Sequence, residues 1–165
     1  MSFRSGVRAV LRPGRVTEAA APRPDVALVQ ARPGAAQRGS VQVRHVDAGS
    51  CNGCEMEVVS AFGPVYDAER FGARLVASPR HADVLLVTGP VTKNMARPLV
   101  TTYDAMPEPR LVVALGDCAR DCGVFRGAYG VEGAVSDVLP VAVHVPGCPP
   151  SPDVIVDALR SLTGR

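Results

Sequence analysis

The stretch DVLLVTG, residues 83–89, is unbroken apolar from Val84 to Val87 and closes on Thr88 and Gly89. A strand with one wet face alternates apolar and polar residues, so a short continuous run reads as a strand covered on both faces. LVVALG (111–116) is a second run of this kind. VQVRHV (41–46), RLVA (74–77) and VAVHV (141–145) are three further β-rich runs. Between most of them lie stretches long enough for helices, at about 52–70, at 93–106, and from SPDVIVDALRSL onward. In the last, Ser151 suits an N-cap and Pro152 the first turn. Strands alternating with helices predict an α/β fold: an open, mostly parallel sheet with helices on both faces.

The chain has 165 residues, enough for one domain, and is 47% hydrophobic, enough for a core without covalent or metal staples. Residues 1–40 read as a basic, Pro/Ala/Gly-rich extension, and 41–165 as the compact α/β domain. The extension carries seven arginines against Glu18 and Asp25, while the net charge of the whole chain is only +2. At its start Phe3, Val7, Val10 and Leu11 share one helical face, either a frayed tail or an arm that docks on a partner or membrane surface. Aromatics are 4% and Trp is absent, so the aromatic–basic interleaving of single-strand binders is missing and nucleic acid is not expected as a partner. No apolar run approaches the roughly 20 residues of a membrane span, and no secretory h-region is present. A cytoplasmic location is the expectation.

Five cysteines decide the chemistry. Cys51 and Cys54 follow the first strand, Cys118 the fourth and Cys148 the fifth. In a parallel α/β sheet those loops share the carboxyl edge, where ligands bind. An odd count in a reducing compartment serves a disulfide framework poorly. A redox dithiol needs only one Cys-x-x-Cys and leaves Cys118 and Cys148 unexplained. A four-thiolate zinc site on Cys51, Cys54, Cys118 and Cys122 stays open, although structural zinc normally staples modules short of core. A [4Fe–4S] cluster needs four thiolates, which loops from several strands can supply, and the spacing favours it.

SCNGCEMEV, the segment from DAERFGARLV to MPEPR, ALGDCA and HVPGCPPSPD together resemble one family. It is the small iron–sulfur subunit of energy-converting [NiFe]-hydrogenases and formate hydrogenlyases, to which the 20 kDa-type subunit of respiratory NADH:quinone oxidoreductase is similar. The resemblance covers about residues 41–162. It implies a flavodoxin-like fold and one [4Fe–4S] cluster held by Cys51, Cys54, Cys118 and Cys148. It also implies the role of an electron-relay subunit of an oxidoreductase complex, with no complete active site of its own. The implied partners are a large catalytic hydrogenase-like subunit, a ferredoxin-like iron–sulfur subunit and membrane subunits, on the cytoplasmic side of the cell membrane. The alternative is a zinc-binding or cofactor-less structural subunit of such a complex. CNGC resembles the hydrogenase-type branch, since the quinone-reducing branch usually has adjacent cysteines there.

The chain departs from the family pattern at DCARDCGVF, where Cys122 replaces a glycine and Asp117, Arg120 and Asp121 add charge. Cys122 is expected to be a buried thiol beside the ligands, and the two carboxylates to lower the cluster's potential where they face it. Gly53 and Gly147 are expected to let backbone N–H groups approach the sulfurs, and Pro149 and Pro150 to stiffen the last loop. Glu55 and Glu57 suit the first turn of a helix through its dipole, with Glu57 at the family's acidic position and a candidate for proton coupling. His45, His81 and His144 have no ligand spacing and read as structural or surface groups. TGPVTKNM lacks the phosphate-loop pattern, and GAYGVEGAV reads as a loop and not a dinucleotide fingerprint. With no catalytic set of its own in view, the sequence points away from an isolated catalyst.

Overall fold

The computed structural model describes residues 39–164. The N-terminal extension up to residue 38, including the Phe3, Val7, Val10 and Leu11 face, lies outside the described residues. In chain order the elements are β1 (Val41–Asp47), α1 (Gly53–Ala61), β2 (Ala73–Leu75), β3 (Val84–Thr88), β4 (Val91–Thr92) and α2 (Lys93–Asp104). They continue with β5 (Leu111–Leu115), α3 (Asp117–Asp121), β6 (Val131–Gly133), β7 (Val143–Val145) and α4 (Pro152–Thr163).

The main sheet is entirely parallel, in the order β2-β1-β3-β5-β7. Counting only its own strands, that is 2-1-3-4-5, the doubly wound flavodoxin-like order, whose strand order reverses between β1 and β3. The predicted α/β class and both-face coverage are therefore what the chain adopts. Strand side chains alternate between two cores, as a period of two requires. Val43, Val84, Leu86, Val113, Leu115 and Val145 pack with α1 and α4, through Val58, Ile155 and Leu159. Leu85, Val87, Val112 and Ala114 pack on the other face with Leu99 of α2 and Ala119 of α3. All five residues of β3 are buried, which is why that strand tolerates no polar alternation.

Two local expectations are corrected, and a third holds in position. The helix expected at 52–70 ends at Ala61, because Gly63-Pro64 breaks the pattern, and a short 3-10 turn, Ala68–Phe71, precedes β2. GAYGVEGAV is not wholly a loop: β6 pairs antiparallel with β4 in a two-stranded ribbon. Such three- and two-residue strands carry too little periodicity to read from sequence. Ser151 occupies the N-cap position of α4 and Pro152 its first turn, yet the Ser151 hydroxyl makes no capping hydrogen bond.

Candidate functional site

The cysteine loops leave the carboxyl ends of β1, β5 and β7, and backbone hydrogen bonds draw them together. Asp47 Oδ1 accepts the N–H groups of Gly49 and Ser50 at 2.8 and 2.7 Å, folding the chain back before Cys51. The Ala48 N–H donates to Thr88 O at the end of β3. Between the Cys118 and Cys148 loops the bonding is reciprocal. The Asp117 N–H donates to Gly147 O at 2.9 Å, and the Gly147 N–H to Asp117 Oδ1 at 3.1 Å.

The result is a cavity of about 90 Å³ lined by Cys51, Cys54, Cys118 and Cys148, with Ser50, Gly89, Asp117 and Gly147 between them. Cys54 and Cys118 are buried, and Cys51 and Cys148 exposed. All four predicted ligand positions are thus brought to one place. Cys122 is not among the cavity's lining residues. It is buried in a left-handed conformation at the end of α3, and its electrostatic neighbours are Asp137, Arg126 and Asp121 rather than the other cysteines.

Burial pushes the Cys54 thiol up to about 12, and Glu55 and the other three cavity cysteines act in the same direction. Burial also raises Cys118, as do Cys148 and Cys51, against a hydrogen bond from the Val124 backbone. Four thiolates so placed repel one another, and a cationic group bound among them would let them ionise together. The steric fit agrees. Gly116 has φ of 89°, and a Cβ there would lie 2.7 Å from Cys54 Sγ, so glycine is what leaves the thiol its place. At Gly53 a Cβ would stand 3.6 Å from Cys51 Sγ, an ordinary contact, so space does not demand that glycine. Nor is the Gly147 N–H aimed at sulfur, since it serves Asp117.

Charge around the α3 loop is largely self-compensating. Arg120 Nη2 lies 3.3 Å from Asp117 Oδ1 and 3.1 Å from Asp121 Oδ2. Asp117 lines the cavity and Asp121 does not. Asp121 instead accepts the Gly123 N–H, which with Arg120 holds its carboxyl below the usual range. Glu55, read as a plain first-turn acid, is the carboxylate tied into the site. It accepts the Ser50 and Thr88 hydroxyls, and Thr88 in turn meets His45 Nε2 at 3.0 Å. No spacing rule finds this contact, because Thr88 lies 33 residues away at the end of β3.

His45 and His144 bear on pH stability. Burial lowers His45 against the opposing pull of Glu55 and Asp47. Burial and Arg120 lower His144, whose Nδ1 is buried with no hydrogen-bond partner among the described residues. A histidine lowered on folding takes its proton more readily in the unfolded chain, so its contribution holds above the unfolded value and is lost as pH falls. The thermal midpoint is expected to drop below about pH 6.5, and His144→Gln to flatten part of that slope. An unchanged slope in the variant would contradict the assignment.

A flavodoxin-like parallel α/β domain with four thiols gathered at its carboxyl edge defines the class of the protein. Residues 51–162 match the family described as NADH ubiquinone oxidoreductase, 20 Kd subunit, and the chain belongs to that family. It is 48% identical over 114 residues to the probable membrane-bound hydrogenase subunit mbhJ of Pyrococcus furiosus, covering 69% of this chain and 68% of that one. It is 45% identical over 113 residues to formate hydrogenlyase subunit 7 of Escherichia coli, covering 68% of this chain but 44% of the relative. Among solved structures, a chain of an archaeal respiratory membrane complex, the membrane-bound sulfane sulfur reductase, superposes with a TM-score of 0.68 at 32% identity, covering 78% of this chain and 71% of that one. The [NiFeSe] hydrogenase of Desulfovibrio vulgaris Hildenborough, at 19% identity and a TM-score of 0.55, covering 76% of this chain and 60% of that one, shares the fold.

Proposed function

We propose that this chain is the electron-transfer subunit of a membrane-associated [NiFe]-hydrogenase-like or quinone-reducing complex, holding one [4Fe–4S] cluster beside the large catalytic subunit. The observation that carries this reading is the set of four cysteines, from three separate loops, around one cavity that leaves out the fifth. Four thiolates supplied by several loops suit a cluster, whereas structural zinc normally staples modules short of core, which this domain is not. Cys51, Cys54, Cys118 and Cys148 would hold the cluster, which when bound accepts and gives up single electrons. The protein's part is to fix the ligands, exclude water on the core side through Cys54 and Cys118, and set the local charge.

The membership of the family and the names of its relatives support placement in a multi-subunit oxidoreductase. Met56 and Val59 are 64% and 68% exposed on the helix that starts at the cavity, and Val124, just past α3, is 83% exposed. Apolar side chains left in water on this helix and just past α3 suit a surface that docks on a large subunit. None of the described helices is long and apolar enough to cross a membrane, so the attachment we propose is peripheral, on the cytoplasmic face, through a ferredoxin-like subunit, membrane subunits or the basic extension.

Anaerobically purified protein is expected to be brown and to carry about four iron and four sulfide per chain. A colourless protein with stoichiometric zinc and no sulfide would replace this reading with that of a structural zinc subunit.

A further inference from the structure

The Glu55 carboxylate is held on both oxygens. Ser50 Oγ donates to Oε2, and Thr88 Oγ1 to Oε1. The Glu55 side chain is only 15% exposed, and Thr88 is fully buried. The single Thr88 proton goes to Glu55, so the Thr88 hydroxyl accepts from His45 and Nε2 is the protonated ring nitrogen. Ser50 also accepts the Asn52 N–H at 3.0 Å. Ser50 and Asn52 flank Cys51, and Ser50 itself lines the cavity. One carboxylate therefore ties the cysteine loop to the end of β3, while sitting next in sequence to Cys54. Its charge is one reason why the Cys54 thiol is hard to ionise.

We propose that Glu55 is a positioning residue for the four-thiol cavity: it clamps the Cys51 loop to β3 and lays a fixed negative charge beside whatever the thiols hold. Its place in the first turn of α1 favours that charge, because the helix N-terminus is the positive end. A negative charge next to a redox group opposes the arrival of an electron and lowers the reduction potential. Glu57, expected from the sequence to be a candidate for proton coupling, does not line the cavity and is turned about 200° around the helix from Glu55, so it serves as the comparison of equal charge on the same element. This inference rests on the iron–sulfur reading for the effect of charge, and not for the clamp.

The test uses the full chain, purified anaerobically with its complex, as wild type and as Glu55→Gln, Ser50→Ala and Glu57→Gln. Midpoint potential is followed by EPR-monitored titration, and the Cys51 alkylation rate is measured after the metal is removed. Glu55→Gln is expected to keep its iron and shift the midpoint to a more positive value. Ser50→Ala keeps the charge, so it is expected to hold the midpoint near wild type but to alkylate Cys51 several-fold faster. Glu57→Gln is expected to change neither. A Glu55→Gln midpoint equal to wild type, or equal to that of Glu57→Gln, would overturn the electrostatic role. Wild-type alkylation in both Ser50→Ala and Glu55→Gln would overturn the clamp. A wild-type protein without iron and sulfide refutes the iron–sulfur reading and the charge effect with it, and the alkylation rates still decide the clamp.

Discussion

Cys118→Ala is expected to strip the protein of iron and sulfide, and Cys122→Ala to leave both in place. The two thiols are four residues apart and equally buried, so hydrophobicity and burial cannot separate them. Position can. Cys118 lines the cavity and feels Cys148 and Cys51, whereas Cys122 sits beyond the end of α3, among Asp137, Arg126 and Asp121. Removing one ligand of four opens a coordination site and lets the group go. Cys51→Ala, Cys54→Ala and Cys148→Ala belong with Cys118→Ala. Iron and sulfide assays on the five single variants decide the matter. Retention in Cys118→Ala together with loss in Cys122→Ala would exchange the two roles.

Gly89→Ala is expected to destabilise the fold severely, by roughly 2–4 kcal/mol, the sum of a left-handed alanine and a forced backbone shift. Gly89 closes β3 with φ of 75°, and a Cβ there would fall 2.3 Å from the Ser50 backbone nitrogen. That atom cannot swing aside as a side-chain tip would. The Ser50 loop has to move, and the cavity with it. Chemical denaturation of Gly89→Ala beside a surface control such as Val124→Ser measures the effect. Equal midpoints would mean that the approach of β1 and β3 loops is looser than the geometry indicates.

The sheet was legible because its central strands are buried on both faces and say so in unbroken apolar runs. Val84–Val87 and Leu111–Leu115 locate the middle of the molecule. The cysteine edge followed from them, since loops after parallel strands share one end. Topology puts Cys51, Cys54, Cys118 and Cys148 at one edge but leaves a zinc set with Cys122 open, and it is the resemblance that singles out the four as ligands. What sequence could not supply were contacts across the chain. In sequence Glu55 reads as any first-turn acid, since its partner Thr88 lies 33 residues away. Likewise Asp117 and Asp121 looked alike in DCARD, but only Asp117 is drawn into the cavity by the Cys148 loop. The β4–β6 ribbon carries no sequence signal, because pairing, and not propensity, makes strands of two or three residues.

The thiols are unevenly sheltered, with Cys54 and Cys118 set in the core and Cys51 and Cys148 on the outer rim. The inner two take their places from helices packed on the sheet, so they are in position once the polypeptide has folded. The outer two ride on loops at the mouth. On the iron–sulfur reading this gives biogenesis a direction. The exposed side of the cavity, at Cys51 and Cys148, is the side from which a cluster would reach the buried Cys54 and Cys118. If a large subunit docks on this edge, the cofactor would have to arrive before it does, so delivery would come ahead of assembly.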